Sequence, residues 1–447
     1  MMEEVTSELD IFEKPCIQTA ITSSYEEICY PVASLDNNSV IEFTSSGTAE
    51  TYRDLNSVRL VLCISMVKTE DGKALLYNNA ATKDYGVVNN IIHSLFSQCS
   101  VSLNNVLITP SSNNYHYKAY LETLLNYGSD AQNTHLTLRG FALDTEGKTN
   151  TADDTNLGFK ERRLWFQAAS EANATETTLL DNELELISPL HVDFFQNGKF
   201  LVNGVELKVR LTRASEEFYL WGPAGAPKVK INIKRASLHI RHYQISPTYL
   251  LAHSKAFGSG NASYFYRRAE IKPFTIPANQ QSITLNNISN GILPSFLLFT
   301  MIPNTNFVGT VSTNPYHFVH NNMEYFALYV KDKLINSIPI QSVFSSTRKL
   351  FSRAYETLFS GTNIHHSDKG HMITPSMFTN GYFMLTFLLT PDLSDDLLHT
   401  SLPDRGDVRI ELRFKSALTT STTCLLYLLY DSSIEITKDR TIDVQGE

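Results

Sequence analysis

The side chains of this 447-residue chain that have the types for chemistry lie in a few short stretches. NIHHSDKGH (363–371) gathers His365, His366, Asp368 and His371, residue types that hold transition metals. The zinc-hydrolase pattern needs two histidines one helical turn apart with a glutamate between them. Here the spacing differs, and Gly370 with its polar neighbours predicts a solvated loop. His239 and His242, three apart in a strand, point to opposite faces and do not share a ligand. GPAGAPK (222–228) ends in a lysine but lacks Gly-Lys-Ser/Thr, and Pro223 and Pro227 remove backbone donors. It reads as a turn between two strands. No Gly-x-Ser-x-Gly elbow occurs. The carboxylate pairs Asp153–Asp154 and Asp395–Asp396 sit in polar stretches without the burial that would tune them for acid–base work. The sequence thus nominates no catalytic residue, no metal ligand and no cofactor, and an enzyme is the weakest functional class.

The elements around these stretches come in two copies. KAYLETLLNYGS (118–129) reads as a short helix ending near Gly128, and RAYETLFSGT (353–362) carries the same Ala-Tyr…Glu-Thr-Leu core, ending at Gly361. Each follows an alternating stretch and a polar turn, CSVSLNNVLITPSSNN (99–114) and FALYVKDKLINSIPIQS (326–342). Further on, GVELKVRLTRAS (204–215) pairs with DVRIELRFKSAL (407–418), and KINIKRASLHI (230–240) with LYLLYDSSIEI (426–436). Matched elements in one order imply a duplicated domain, and a chain of this length has room for two cores.

The domain is mostly β. Val58, Leu60, Leu62, Ile64 and Met66 alternate as in a strand packed on one face. Asn104–Asn105 is hairpin chemistry. Within 228–243 the apolar residues change parity between Ile233 and Leu238, which predicts a bulge. Tyr117, Tyr120, Leu121, Leu124 and Leu125 form a helical stripe. Ser246, Pro247 and Gly258 bracket a helix that connects the copies. The expected layout is an N-terminal arm (1–24), a first β-domain (25–245) with a long excursion at 129–181, and a connector helix with a second domain (246–447). The excursion contains DTEGKTNTADDTN (144–156) and ASEANATETTLLD (169–181), which are polar, small and acidic, with little to bury. It is a candidate outward tower clasping neighbouring chains. Many short strands with regular turns predict an antiparallel β-sandwich in each copy, a jelly roll with about eight strands in preference to an immunoglobulin-like sandwich.

Composition narrows the function. The net charge is −9 without a long basic run, which argues against specific nucleic-acid binding as the main task. Charged residues make up 19%, below the roughly 25% of ordinary soluble domains. That fits a surface partly buried in an assembly. No apolar stretch reaches the ~20 residues of a membrane helix, and the first residues do not read as an export signal. Five cysteines without a Cys-x-x-Cys pair suggest reduced, buried thiols and folding inside a cell.

Several long stretches resemble a known family. They are IIHSLFSQCSVSLNNVLITPSSNNYHYKAYLETLLNYG (91–128), SLHIRHYQISPTYLLAHSKAF (237–257), AYETLFSGT (354–362), NGYFMLTFLLTPDLS (380–394) and GDVRIELRFKSALTTSTTCLLYLLYDSSIEI (406–436). In order and from about residue 15 onwards, the chain resembles the major capsid proteins of Polinton/Maverick elements and adintoviruses. These belong to the double jelly-roll lineage of adenovirus hexons and tectivirus capsids. The resemblance implies an all-β fold of two tandem eight-stranded antiparallel jelly rolls, with short helices in the loops. It implies a homotrimer shaped as a pseudo-hexameric, hexon-like capsomer. Its partners would be neighbouring capsomers and a single jelly-roll penton protein at the vertices of an icosahedral capsid around double-stranded DNA. The protein would be folded and assembled inside the host cell and reside in the virion.

Tyr117, Tyr120 and Tyr355, on the repeated helices, are the candidate interaction residues, facing a neighbouring jelly roll or a neighbouring subunit. The alternative from another class is a cellular tandem β-sandwich binding module, an element gene reused by its host.

Overall fold

The computed structural model describes residues 17–35, 39–70, 72, 84–110, 112–166, 183–335, 338–345, 349–365, 370–393 and 401–445. Its strands fall into two consecutive sets. The first is β1 (Ile21–Cys29), β2 (Val40–Ser45), β3 (Thr51–Lys68), β4 (Phe96–Leu103), β5 (Val106–Leu107), β6 (Glu183–Pro189), β7 (Leu207–Arg213) and β8 (Val229–Ile245). The second is β9 (Ala262–Ile276), β10 (Ser282–Leu285), β11 (Phe296–Pro303), β12 (Met323–Val330), β13 (Lys333–Leu334), β14 (Met384–Leu388), β15 (Arg405–Phe414) and β16 (Thr422–Ile436). Short additional pairs, such as Gly86–Val87 with Leu220–Trp221, decorate this frame.

In the first set one sheet runs β1-β8-β3-β6 and the other β2-β7-β4-β5. Adding eight to each number gives the second set, β9-β16-β11-β14 and β10-β15-β12-β13. The ladders joining these strands are antiparallel. Two such sheets form a jelly roll. The chain is therefore two tandem eight-stranded antiparallel jelly rolls with short helices in the loops.

Local chemistry explains the repeated details. Asn104 and Asn105 turn β4 into β5 with φ of 45° and 66°, the left-handed pair that matches strand twist. Lys331 and Asp332 do the same between β12 and β13 with φ of 49° and 59°. The turn is held by the Lys331 amide on the Asp407 carbonyl, 3.1 Å, and by the Lys331 ammonium on Asp404. In β8, Val229, Ile231 and Ile233 are buried, then Ala236, Leu238 and Ile240. The ladder to β3 shifts register between Ile233 and Arg235, so the parity change is a bulge.

The helices that matter are α1 (Tyr115–Asn126), α2 (Leu157–Leu164), α3 (Pro247–Ala256) and α4 (Ser352–Ser360). Helix α1 lies between β5 and β6, and α4 holds the counterpart place between β13 and β14. In both, a threonine hydroxyl donates to the carbonyl of the repeated alanine at 2.7 Å, Thr123 to Ala119 and Thr357 to Ala354. The residue that follows α4 is Gly361, where a side chain has no room: a Cβ there would clash with the Thr386 Oγ1 and backbone. Helix α3 joins the two sets, starting at Ser246 and Pro247 as expected.

Two expectations need correction. Strand β1 already begins at Ile21, inside the stretch read as an arm; residues 1–16 lie outside the described ones. The excursion after residue 128 is packed rather than solvated as far as 166: Leu136, Phe141, Phe159 and Phe166 are fully buried. Phe159 on α2 meets the Trp221 ring edge-on at 4.9 Å. Polar composition concealed this, because Asp144, Thr149 and Asn156 are themselves buried by bonding to one another's surroundings. The stretch 169–181 lies outside the described residues.

Phe159→Ala should cost about 3–5 kcal/mol of unfolding free energy, the usual loss for a buried phenylalanine. Urea denaturation measures it; a change under about 1 kcal/mol would mean that the 129–166 stretch is not part of the core.

Candidate functional site

Helix α1 sits where the two jelly rolls meet. Its stripe packs on the segment between β11 and β12 of the second set. Tyr117 stacks on Phe307 at 5.5 Å, and Tyr120 on Tyr316 at 4.0 Å with planes 17° apart. His116 stacks on Phe218 at 3.9 Å, and Phe218 in turn meets Tyr316 edge-on at 6.0 Å. The Tyr316 hydroxyl and Ser94 Oγ share a hydrogen bond of 2.6 Å. Offset and edge-on ring pairs of this kind add about 0.5–1.5 kcal/mol each beyond the area they bury.

Tyr117 and Tyr120 are fully buried in this contact. Their partner is thus the other jelly roll of the same chain, and they offer no surface to a second subunit. Tyr355, the counterpart of Tyr120, stays within its own jelly roll: it packs edge-on against Phe359 and Phe378 and donates to the Ile373 carbonyl at 2.9 Å.

The opposite face of α1 carries charge into the junction. Lys118 binds Asp193 at 2.6 Å and the His191 carbonyl at 3.0 Å. Glu122 lies 2.6 Å from His191 Nδ1 and accepts from the Tyr427 hydroxyl of β16 at 3.0 Å. Asp193 accepts from the Ala269 amide of β9 at 2.9 Å. Burial alone would raise the Glu122 carboxyl, but Lys118, His191 and Tyr427 outweigh it and hold it below its ordinary value. Burial, with the Glu122 charge beside it, raises the Asp193 carboxyl despite Lys118. Burial would lower the Lys118 ammonium, yet Asp193 and Glu122 outweigh it and raise it. Both carboxylates therefore reach across to the second jelly roll while sharing one buried cation.

A second polar network joins the 144–156 loop to the second jelly roll. Asp144 pairs with Arg162 at 2.6 Å, both sealed from solvent. The guanidinium also donates to the Val87 carbonyl at 3.0 Å and to the Ala142 carbonyl. Asn156 caps α2 and donates to Asp144 at 3.0 Å. From the other side Asn314 donates to the Thr149 carbonyl at 2.6 Å, Asn306 donates to Asn150 at 3.1 Å, and His317 bonds Thr149 at 2.6 Å. Buried ions need this degree of pairing to offset their lost hydration. Sequence reasoning missed these residues because nothing in their spacing marks them as partners.

The residues with chemical potential are dispersed. His239 bonds Ser237 and lies 3.5 Å from Glu26, whereas His242 bonds Glu27 and Thr51. His371 bonds the Leu358 carbonyl; His366 and Asp368 lie outside the described residues. Among the described residues no group of three or more His, Cys, Asp or Glu could hold a metal, and no helix is long and apolar enough to cross a membrane. Cys29, Cys63, Cys99 and Cys424 are buried and unpaired with one another. A cleft of about 600 Å³ opens at the junction, lined by Leu121, Glu122, Asp193, Tyr266, Phe296 and Tyr427. Its two carboxylates are already committed to the ion pairs above.

This end-to-end architecture has close counterparts among solved structures. A chain of the Sputnik virophage superposes with a TM-score of 0.61 at 11% identity, over 100% of this chain and 92% of that one. The chain shares the double jelly-roll fold. The mavirus major capsid protein matches with a TM-score of 0.53 at 12% identity, over 97% and 92%. The PBCV-1 virus capsid gives 0.55 at 10%, over 98% and 99%. In sequence, an uncharacterized protein of Caenorhabditis elegans is 23% identical over 421 residues, 90% of this chain and 93% of that protein. No family model matches the chain.

The buried histidines set a pH limit. Burial lowers His116 to about 3 and His317 and His320 to about 4, and holds His93 well below the ordinary 6.5. The unfolded chain takes up these protons near pH 6.5, while the folded chain does so only near the lowered values. Stability is therefore complete above pH 6.5 and falls steadily below it, by on the order of 1.4 kcal/mol per pH unit for each such histidine. The urea midpoint should drop between pH 7 and pH 5, and His317→Gln should flatten that slope; a midpoint unchanged over this range would contradict the assignment.

Proposed function

We propose that this chain is a major capsid protein of an icosahedral double-stranded DNA virus or virus-like element, of the Polinton/Maverick and adintovirus kind. Three chains form one capsomer. Each contributes two lobes of one topology, so a three-fold assembly presents six lobes and packs as a near-hexagon. The observation that carries this reading is the repeated sheet order, held as one body by the junction around α1. The likeness to the mavirus major capsid protein along nearly the whole chain supports it. The nematode relative, matched along 93% of its length, supports the genome-borne form of the reading.

In this role the protein works by shape. Neighbouring capsomers and a penton protein at the vertices are its partners, and the virion is its place. No step of catalysis is assigned to it. A closed cyclic trimer satisfies its own contacts and leaves only the rim for the lattice.

Size-exclusion chromatography with light scattering tests the reading. The expected mass is three times the 50.3 kDa of the chain. A stable monomer at concentrations where capsid proteins assemble would contradict it.

A further inference from the structure

The connector helix α3 roofs an apolar cleft of about 350 Å³, lined by Tyr52, Phe200, Val202, His253, Phe257 and Tyr264. Clefts of this size hold small ligands or a pair of side chains. The walls are fixed in place. His253 Nδ1 lies 2.8 Å from the Tyr52 hydroxyl, with the two rings stacked at 5.7 Å. The Tyr264 hydroxyl donates to the Phe200 carbonyl and accepts from the Val202 amide, both at 3.0 Å. Yet α3 buries none of its own residues, and Tyr249 and Leu251 are 42% and 59% exposed. An apolar helix beside an apolar cleft, both open, marks a contact surface.

The rim is cationic. Lys199 lines the cleft and donates to the Ser263 carbonyl at 3.1 Å. Arg440 lies over the Phe257 ring at 4.7 Å and donates to Asn203 and to the Lys438 carbonyl. Lys255 adds a charge in the last turn of α3. Among the described residues none of these three cations has a carboxylate partner. Glu435, beside the cleft, accepts from Asn261 at 3.0 Å.

The fitting occupant is apolar at its centre and acidic at its edges, and the chain carries such a segment in residues 1–16, outside the described ones. Ile11 and Phe12 stand side by side there, among five carboxylates (Glu3, Glu4, Glu8, Asp10 and Glu13) and one lysine, Lys14. This segment joins the fold at the foot of α3, where the Ser246 amide donates to the Ala20 carbonyl at 2.8 Å. Along a helix rising ~1.5 Å per residue, the far end of α3 is ~15 Å away. Five extended residues span ~17 Å. Counted back from Ile17, which is 76% exposed, that length brings Phe12 to the cleft.

We propose that residues 8–14 lie across α3 of their own chain, with Ile11 and Phe12 filling the cleft and Asp10 and Glu13 facing Lys199, Lys255 and Arg440. A tether this short makes the docking intramolecular, at an effective concentration on the order of millimolar, so a weak contact suffices. The segment is then a plug that any other apolar anion must displace. The inference concerns the single chain and holds whether or not three chains assemble.

Titration of the full chain with anilinonaphthalene sulfonate, an apolar anion that fluoresces in such clefts, tests it. Ile11→Asp with Phe12→Asp should gain a dye site that the wild type lacks. Adding Ala256→Trp, which fills the cleft from the exposed helix, should remove that gain, and Ser259→Trp should do the same. A peptide of residues 5–16 should displace the dye from the double variant, and the peptide with both aspartates should not. Equal dye binding by the wild type and the double variant would overturn the inference; if Ala256→Trp then lowered both, the cleft would be an open site for a free apolar anion. A gain that survives both Ala256→Trp and Ser259→Trp would place the dye elsewhere and overturn it too. If micromolar double variant lost its dye on mixing with Ala256→Trp chains, the plug would belong to the cleft of a second copy and not to its own.

Discussion

The structure depends on one constraint, the docking of α1 against the second jelly roll. One face of this helix carries the stacked rings of Tyr117 and Tyr120, and the other carries Lys118 and Glu122 into a cluster with His191, Asp193 and Tyr427. Helix α3, which links the two jelly rolls, is exposed and buries no residue, so their orientation rests on direct contacts such as this one. With it, their relative orientation is set by groups that tolerate little displacement. Rings slide at modest cost, but a buried carboxylate that loses its hydroxyl or amide partner pays its full desolvation. The polar cluster thus supplies registry, and the aromatic packing supplies most of the attraction. A buried ion cluster is a poor source of net stability and a good source of specificity.

The loop network around Asp144 and Arg162 serves the same end from the other flank. It converts a stretch of small polar residues into a strut between β-domains, through Asn314, Asn306 and His317. This explains how a single chain can hold its two lobes at a fixed angle. It also explains the asymmetry of the two copies. The first lends its loop and helix to the second.

Much of this was legible in the sequence, and the reasons for the rest are physical. The duplication, the Asn104–Asn105 turn, the bulge in β8 and the connector helix are local, so residue type and period betray them. The identical sheet order in both copies follows from the duplication. The burial of 129–166 was not legible, because Asp144, Thr149 and Asn156 have the composition of a solvated loop, and only partners from distant parts of the chain make them core residues. Tyr117 and Tyr120 were recognisable as contact residues, but not the side on which their partner lies: an apolar stripe states that something covers it, not what. The spacing of four between Lys118 and Glu122 is a helical signal, but it does not show that the pair is buried, and their further partners His191 and Asp193 lie far away in sequence.

Native-state hydrogen exchange of the Ala269 amide tests the junction most directly. This amide belongs to the second jelly roll and donates to Asp193 of the first. If the two lobes form one body, it exchanges only through global unfolding, as slowly as the amides of β16 at the centre of its sheet. Exchange orders of magnitude faster, with β16 still protected, would mean that the lobes open independently and that no fixed junction exists.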